Sequence, residues 1–550
     1  QSFRLLSSYV LKYFASLTTK ERATFWNKFS KVYRQYMPNA AYTMSANNAD
    51  PALLAKISGI AYNCQVFSKG LLLNAELEIQ KIIEQSGDPD FAAQYYKLKQ
   101  DRAILDALYQ TPVERRTADA DSLLRVIEKE ERQLVESSKE LGDFTKNLSI
   151  DWTAIQKQLK GGDIAIEFAN FKDASSKQDI YIAFVLKKGM KSPEVVKLFE
   201  SDDFWAVKTG DYYKTQKLYD LVWKPLEKYL DGVKNVYFSP TGRFHTIGIE
   251  YLPDEDGKIF AEKYDAYRLS STRELVLGNT ANTSKSAVTF GGIKYDLSDD
   301  EWQKVKDEDA DRRSFSDVPH IDNSTRGGVM NYLEGTKKES DEVAALLRAA
   351  KYDVSAISDA TATEERFKLL SGTNLKILHI GTHGFYQSEA DMENAGYRFF
   401  QSGKESAEER SLSCSGLMFA GANSALDPQR SKNIPDGVDD GVLTAKEISR
   451  LDFRGLDLVV LSACQTGLGE VSGEGVFGLQ RGFKKAGAQT IVMSLWEVSD
   501  ESTQLLMTEF FKNLTAGQSK RAAFLAAQNV VRQKYPNPLH WAAFVMVDGM

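Results

Sequence analysis

Cysteine is scarce: Cys64, Cys414 and Cys464 are the only three in 550 residues. They are too few and too scattered for a disulfide framework, and no pair has the CxxC spacing of a zinc site. A reducing cytosol is the expected compartment, and neither metal nor cofactor is expected. No apolar run approaches the roughly 20 residues needed to cross a bilayer, so membrane insertion is not expected. The start "QSFRLLSSYV" lacks the regions of a signal peptide. It also lacks an initiator Met, so Gln1 is read as a cut point inside a longer polypeptide. Positive charge is not in excess either: 69 Lys and Arg face 76 Asp and Glu, a net charge of −7. That argues against direct nucleic-acid binding built on bulk charge.

What is present is ample apolar content, 42% of a long chain, enough for roughly two to four domains. Residues 1–150 read as helical. Ile79, Ile82 and Ile83, then Phe91, Tyr95 and Leu98, recur at three- and four-residue spacing between charged residues. "SGDPD" at 86–90 stops one helix and starts the next. The pattern is that of helical hairpins without a clean internal period, and "VIEKEERQLVESSKELGDF" reads as one long solvated helix leading out of them.

At 163 the texture changes to strands alternating with helices: "DIAIEF", "DIYIAFVL", "NVYFSP", "AVTFGG", "LKILHIGTHG", "LDLVVLSACQTG" and "AQTIVMSLWEV". This predicts an α/β fold whose parallel sheet is covered by helices on both faces. Two long irregular segments, 295–337 and 387–440, interrupt the order and have the length of lids, binding loops or processing sites. Arg312, Arg313, Arg410 and Arg430 within them are candidate processing positions.

Ligands of open parallel sheets sit outside the carboxyl ends of the strands. "LKILHIGTHG" delivers His383 just past one strand, and "LDLVVLSACQTG" delivers Cys464 just past another. Their separation of 81 residues is no obstacle, because neighbouring strands lie about 5 Å apart. An imidazole can promote a thiolate and then protonate a leaving amine, which suffices for acyl transfer. The N–H groups of Gly384 and Cys464 could form the oxyanion hole. Beside this stands the plainer reading of Cys464 as a buried small hydrophobe. Cys64, Cys414 and His379 are read as core.

These motifs, with "SPTGRFHTIGIEYL", "SGLMFAGAN", "DGVLTAKEI", "GEGVFGLQRGFKKAGAQTIVMSLWEVSD" and "NPLHWAAFVMVDG", resemble the CHAT domain, a caspase-like family associated with tetratricopeptide repeats. The resemblance covers roughly 150–550, and "FSKGLLLNAELEIQKIIEQSGD" is similar to the helical region upstream of it in bacterial members. It implies a tetratricopeptide-like helical region at 1–150, a catalytically silent first half at 151–280, and a catalytic caspase-like half at 281–550. It further implies a cysteine endopeptidase with a His383–Cys464 dyad and no third acidic partner. "SLWEVSD" would pair with substrate and contribute to the S1 pocket. Asp500, then Glu497, are the S1 candidates, because a desolvated carboxylate would select a basic P1 residue. Trp496 either lines that groove or packs internally. Ala463 precedes the nucleophile where metacaspases carry an acid. Asp439 and Asp440 are read either as residues near the cleft or as a loop entering a helix.

The implied partners are a protein substrate, for example a gasdermin-like pore-former in bacterial defence, and a regulator bound by the upstream helices. Two rivals remain. "GEGVFG" at 473–478 fits GxGxxG, but its glycines come too late after the strand for a dinucleotide turn. A catalytically silent CHAT module acting as a binding scaffold is the stronger alternative.

Overall fold

The computed structural model describes the chain apart from residues 1, 15, 111–117, 142–144, 279–281, 311–328, 388–406, 428, 436, 464–466, 468 and 473–474. Cys464, Arg312 and Arg313 therefore lie outside the described residues. The first part is helical: Ser2–Phe14, Thr19–Lys31, Met37–Ala46, Pro51–Ser68, Leu71–Gln85, Pro89–Gln110 and Ala120–Leu141 are its main helices. The break predicted at "SGDPD" falls between Gln85 and Pro89, where Gly87 takes the left-handed conformation (φ 67°) that favours glycine. The helix Ala120–Leu141 is not simply solvated. Its Ile127, Leu134 and Val135 are buried, and so is Glu131, which accepts from the Thr19 N–H and hydroxyl at 2.7 Å each. No described helix is long and apolar enough to cross a membrane.

Among the described residues sixteen strands follow: β1 (Asp163–Lys172), β2 (Asp179–Lys187), β3 (Glu194–Glu200), β4 (Asn235–Ser239), β5 (Asp265–Arg268), β6 (Ser286–Ile293), β7 (Asp353–Asp359), β8 (Ile377–Gly381), β9 (Gly384–Tyr386), β10 (Ser415–Met418), β11 (Val442–Thr444), β12 (Leu458–Ser462), β13 (Gly469–Ser472), β14 (Gly475–Gly478), β15 (Thr490–Ser494) and β16 (Phe544–Val547). Eleven form one sheet in the order β3-β2-β1-β4-β5-β16-β15-β12-β8-β6-β7. The sheet is mostly parallel rather than wholly so. β2 runs against β1 and β3, and β15 runs against β16. That last pair reverses the polarity, so the first-half and second-half strands present their carboxyl ends at opposite rims.

Buried runs such as "ILHIG" and "LVVLS" suit strands covered on both faces. The helices Glu334–Ala349 and Asp500–Thr515 lie over one face, placing Val343, Leu347, Leu506 and Phe511 in the core. Phe367, Phe453 and Phe483 form an aromatic cluster in the same core. The helical part shares a core with the sheet: Tyr62 and Val66 of the helix Pro51–Ser68 pack with Phe171, Ile182 and Phe184. At its end, buried Lys69 inserts its ammonium beside β1 and β4, bonding Glu167 Oε2 at 2.7 Å, the Phe168 carbonyl at 2.9 Å and the Ser239 carbonyl at 3.1 Å.

Candidate active site

β8 and β12 pair in parallel, with Gly381 opposite Ser462. His383 stands two residues beyond Gly381 and Cys464 two beyond Ser462. A cleft of about 590 Å³ opens where β8, β12 and β15 end, lined by His383, Ser462 and Ala463 together with Trp496, Glu497 and Asp500. The structure thus brings His383 and the three S1 candidates to one cleft, at the rim from which the segment bearing Cys464 departs.

The His383 side chain is held by a group no sequence pattern announces. Its Nε2 lies 2.8 Å from the main-chain carbonyl of Asn331. A carbonyl only accepts, so Nε2 carries hydrogen, and in the neutral ring Nδ1 is the basic nitrogen. The backbone is anchored as firmly. The His383 N–H donates to Tyr295 Oη at 3.3 Å, Tyr295 Oη meets Thr382 Oγ1 at 2.9 Å, and Thr382 Oγ1 donates to the Met418 carbonyl. Each hydroxyl has both a donor and an acceptor in this chain. Burial pushes the Tyr295 phenol up to about 12, so it stays neutral.

β9 begins at Gly384 and pairs antiparallel with β10, Gly384 standing opposite Leu417. The Met418 N–H bonds the His383 carbonyl at 2.9 Å, and the Gln387 N–H bonds the Cys414 carbonyl at 2.9 Å. Alternation then directs the N–H of Gly384 away from β10. Across the cleft, the Ser494 hydroxyl donates to the Ala463 carbonyl at 2.6 Å, and the Gly467 N–H donates to the Ser494 carbonyl at 2.6 Å. A Cβ on Gly467 would lie 2.8 Å from that carbonyl oxygen, so only glycine permits the approach.

The S1 candidates differ in setting. Trp496 lines the cleft, and its indole packs on Tyr213 at 5.6 Å and donates to the Leu539 carbonyl at 3.1 Å. Glu497 and Asp500 are solvent-exposed, not desolvated. Ser499 holds the N-cap position and Asp500 opens the helix Asp500–Thr515, where its charge suits the helix dipole. The buried carboxylate in the lining is Glu339, at 1% exposure. Asp439 and Asp440 are not in the lining. Asp439 accepts from Lys368 Nζ at 2.8 Å, within a buried cluster that includes Glu364 and Glu447. Cys64 and Cys414 are buried, as is His379. "GEGVFG" ends as strand β14 and the N-cap of the helix Leu479–Ala486, paired with β13 rather than forming an open loop.

The model of the CHAT domain matches residues 214–548. Tetratricopeptide repeat protein 28 of Mus musculus is 33% identical over 111 residues, 20% of this chain and 4% of that protein. Its Homo sapiens counterpart is 32% identical over 110 residues, again 20% and 4%. The chain therefore spans a small fraction of these curated relatives. Among solved structures, the complex of Porphyromonas gingivalis RgpB pro- and mature domains aligns over 63% of this chain and 70% of that one, at 11% identity and a TM-score of 0.35. The Saccharomyces cerevisiae separase-securin complex aligns over 94% of this chain and 42% of that one, at 10% identity and a TM-score of 0.36.

Proposed function

The chain belongs to the CHAT domain family, and from that premise we propose that it is a cysteine endopeptidase acting through His383 and Cys464. The observation that supports this best is the equal offset of the two residues from the paired positions Gly381 and Ser462. In the proposed reaction Cys464 gives its proton to His383, and the thiolate adds to the scissile carbonyl. The Gly384 and Cys464 N–H groups hold the resulting oxyanion. His383 then protonates the departing amine, leaving a thioester that water hydrolyses to regenerate the thiol. The Asn331 carbonyl keeps the ring oriented through both transfers. Asp500 and Glu497 favour a basic P1 residue, with Trp496 as an apolar wall; full desolvation of either carboxylate falls to the bound peptide. We further propose a cytoplasmic protein substrate, such as a gasdermin-like pore-former in bacterial defence, and a regulator acting through the helical part.

The test is a fluorogenic peptide panel varying P1, run with Cys464→Ala and His383→Ala. Turnover after Arg or Lys that both variants abolish supports the dyad; turnover surviving in Cys464→Ala overturns it. Thiol labelling separates the enzyme from a silent scaffold, because Cys64 and Cys414 are buried and burial pushes the Cys64 thiol well up. A dyad cysteine labels fast and depends on His383; slow labelling unaffected by His383→Ala favours the scaffold.

A further inference from the structure

Away from His383, the helical part and the second half of the sheet domain meet along a cleft. One wall carries Arg22, Lys99 and Arg102 from two helices of the first part, Thr19–Lys31 and Pro89–Gln110. The other carries Arg450, just past the short helix Ala445–Ile448, and Lys485 on the helix Leu479–Ala486. The carboxylates in the lining are Glu76 and Glu131, and both are engaged: Arg102 lies 2.7 Å from Glu131, and Lys485 lies 2.8 Å from Glu76. Acids outside the lining are engaged too: Glu21, which acts on Arg22, takes Arg132 at 2.8 Å. Asp452 takes the Arg454 guanidinium through both oxygens, and Glu408 takes Arg481 at 2.8 Å.

Lys99 is left over. Its ammonium nitrogen is shut off from solvent and makes no hydrogen bond among the described residues, lying 5.2 Å from the centre of the Tyr95 ring. Burial holds it down to about 8, against the pull of Asp452 and with the push of Arg450, and burial likewise holds Arg22 down to about 10. A shielded, unpaired ammonium costs stability, and this one faces a cavity between two parts of the molecule. We propose that the cleft binds a compact, multiply charged phosphoryl anion, which supplies the missing counter-charge and bridges Lys99 to Arg450. Guanidinium forks and ammonium groups converging from two walls suit tetrahedral phosphoryl oxygens. The site is also connected to the catalytic rim. Arg450 follows β11, which pairs with β10, which pairs with β9 next to His383. Lys485 lies on the helix that leads into β15.

The experiment is calorimetric titration and thermal melting of the whole chain with sodium pyrophosphate, sodium tripolyphosphate and a nucleoside triphosphate, against sodium chloride at matched ionic strength. Saturable binding of at least one of them is expected, with a rise in Tm that grows with its concentration. Lys99→Met should weaken binding at least tenfold while raising the Tm of the unliganded protein, because the uncompensated charge is gone. A structural role for Lys99 would lower that Tm instead. Arg450→Gln, on the opposite wall, should weaken the same ligand and keeps the test open if Lys99→Met folds poorly. Tighter binding of the nucleoside triphosphate than of tripolyphosphate assigns a base-bearing ligand; equal binding assigns the phosphoryl chain alone. No saturable binding beyond the salt control, or undiminished affinity in both variants, overturns the site.

Discussion

Glu339 Oε1 lies 2.8 Å from His379 Nε2, both side chains buried beneath the cleft and the pair out of hydrogen-bond alignment. The contact ties the helix Glu334–Ala349 to β8 just below His383. Glu339→Ala leaves the buried His379 ring without its polar neighbour and should cost about 1–3 kcal/mol, read as a lower urea midpoint. The double variant Glu339→Leu/His379→Leu should recover part of that loss.

Ser494 holds both sides of the segment that carries Cys464, through Ala463 and Gly467. Ser494→Ala removes one buried bond of about 1 kcal/mol. The expected result is a severalfold lower kcat with a nearly unchanged melting temperature. Gly467→Ala, which forces the backbone apart, should reduce activity further.

Lys69 joins the helical part to β1 and β4. Lys69→Met strands Glu167, whose Oε1 also accepts from Thr272 at 2.7 Å. A loss of about 3–5 kcal/mol is expected, with faster proteolysis of the helical part under native conditions.

The Lys368 cluster gives a pH signature. Burial, reinforced by Asp439, raises the Glu365 carboxyl to about 8. In the unfolded chain this group ionises near 4.5, so its contribution to stability falls as pH rises from there through 8. Glu365→Gln mimics the protonated form and can still accept the Asp439 N–H, which Glu365 takes at 2.7 Å. Its stability relative to wild type should climb between pH 4.5 and 8 and level off above, as followed by melts across that range.

The strands that frame the cleft were legible because β8, β12 and β15 are buried throughout, which forces continuous apolar runs. Strands β9, β10, β11 and β16 are three or four residues long, too short for any periodicity to register. The contact that orients His383 comes from the Asn331 main chain, so residue type carries no trace of it. Glu339 was hidden for a different reason. It lies in a charged helical stretch, and only tertiary packing turns that face inward. The cations of the second cleft are drawn from separated segments, each an ordinary surface charge when read locally.

The place of β16 has a consequence for biosynthesis. This strand follows all others in chain order yet sits between β5 and β15, near the middle of the sheet. Until it emerges from the ribosome, the first-half and second-half strands can form only two separate sheets, each with an unsatisfied edge. The edge of β15, whose end anchors the cysteine segment, is thus completed last. A nascent chain is kept from assembling a finished cleft until β16 has been translated.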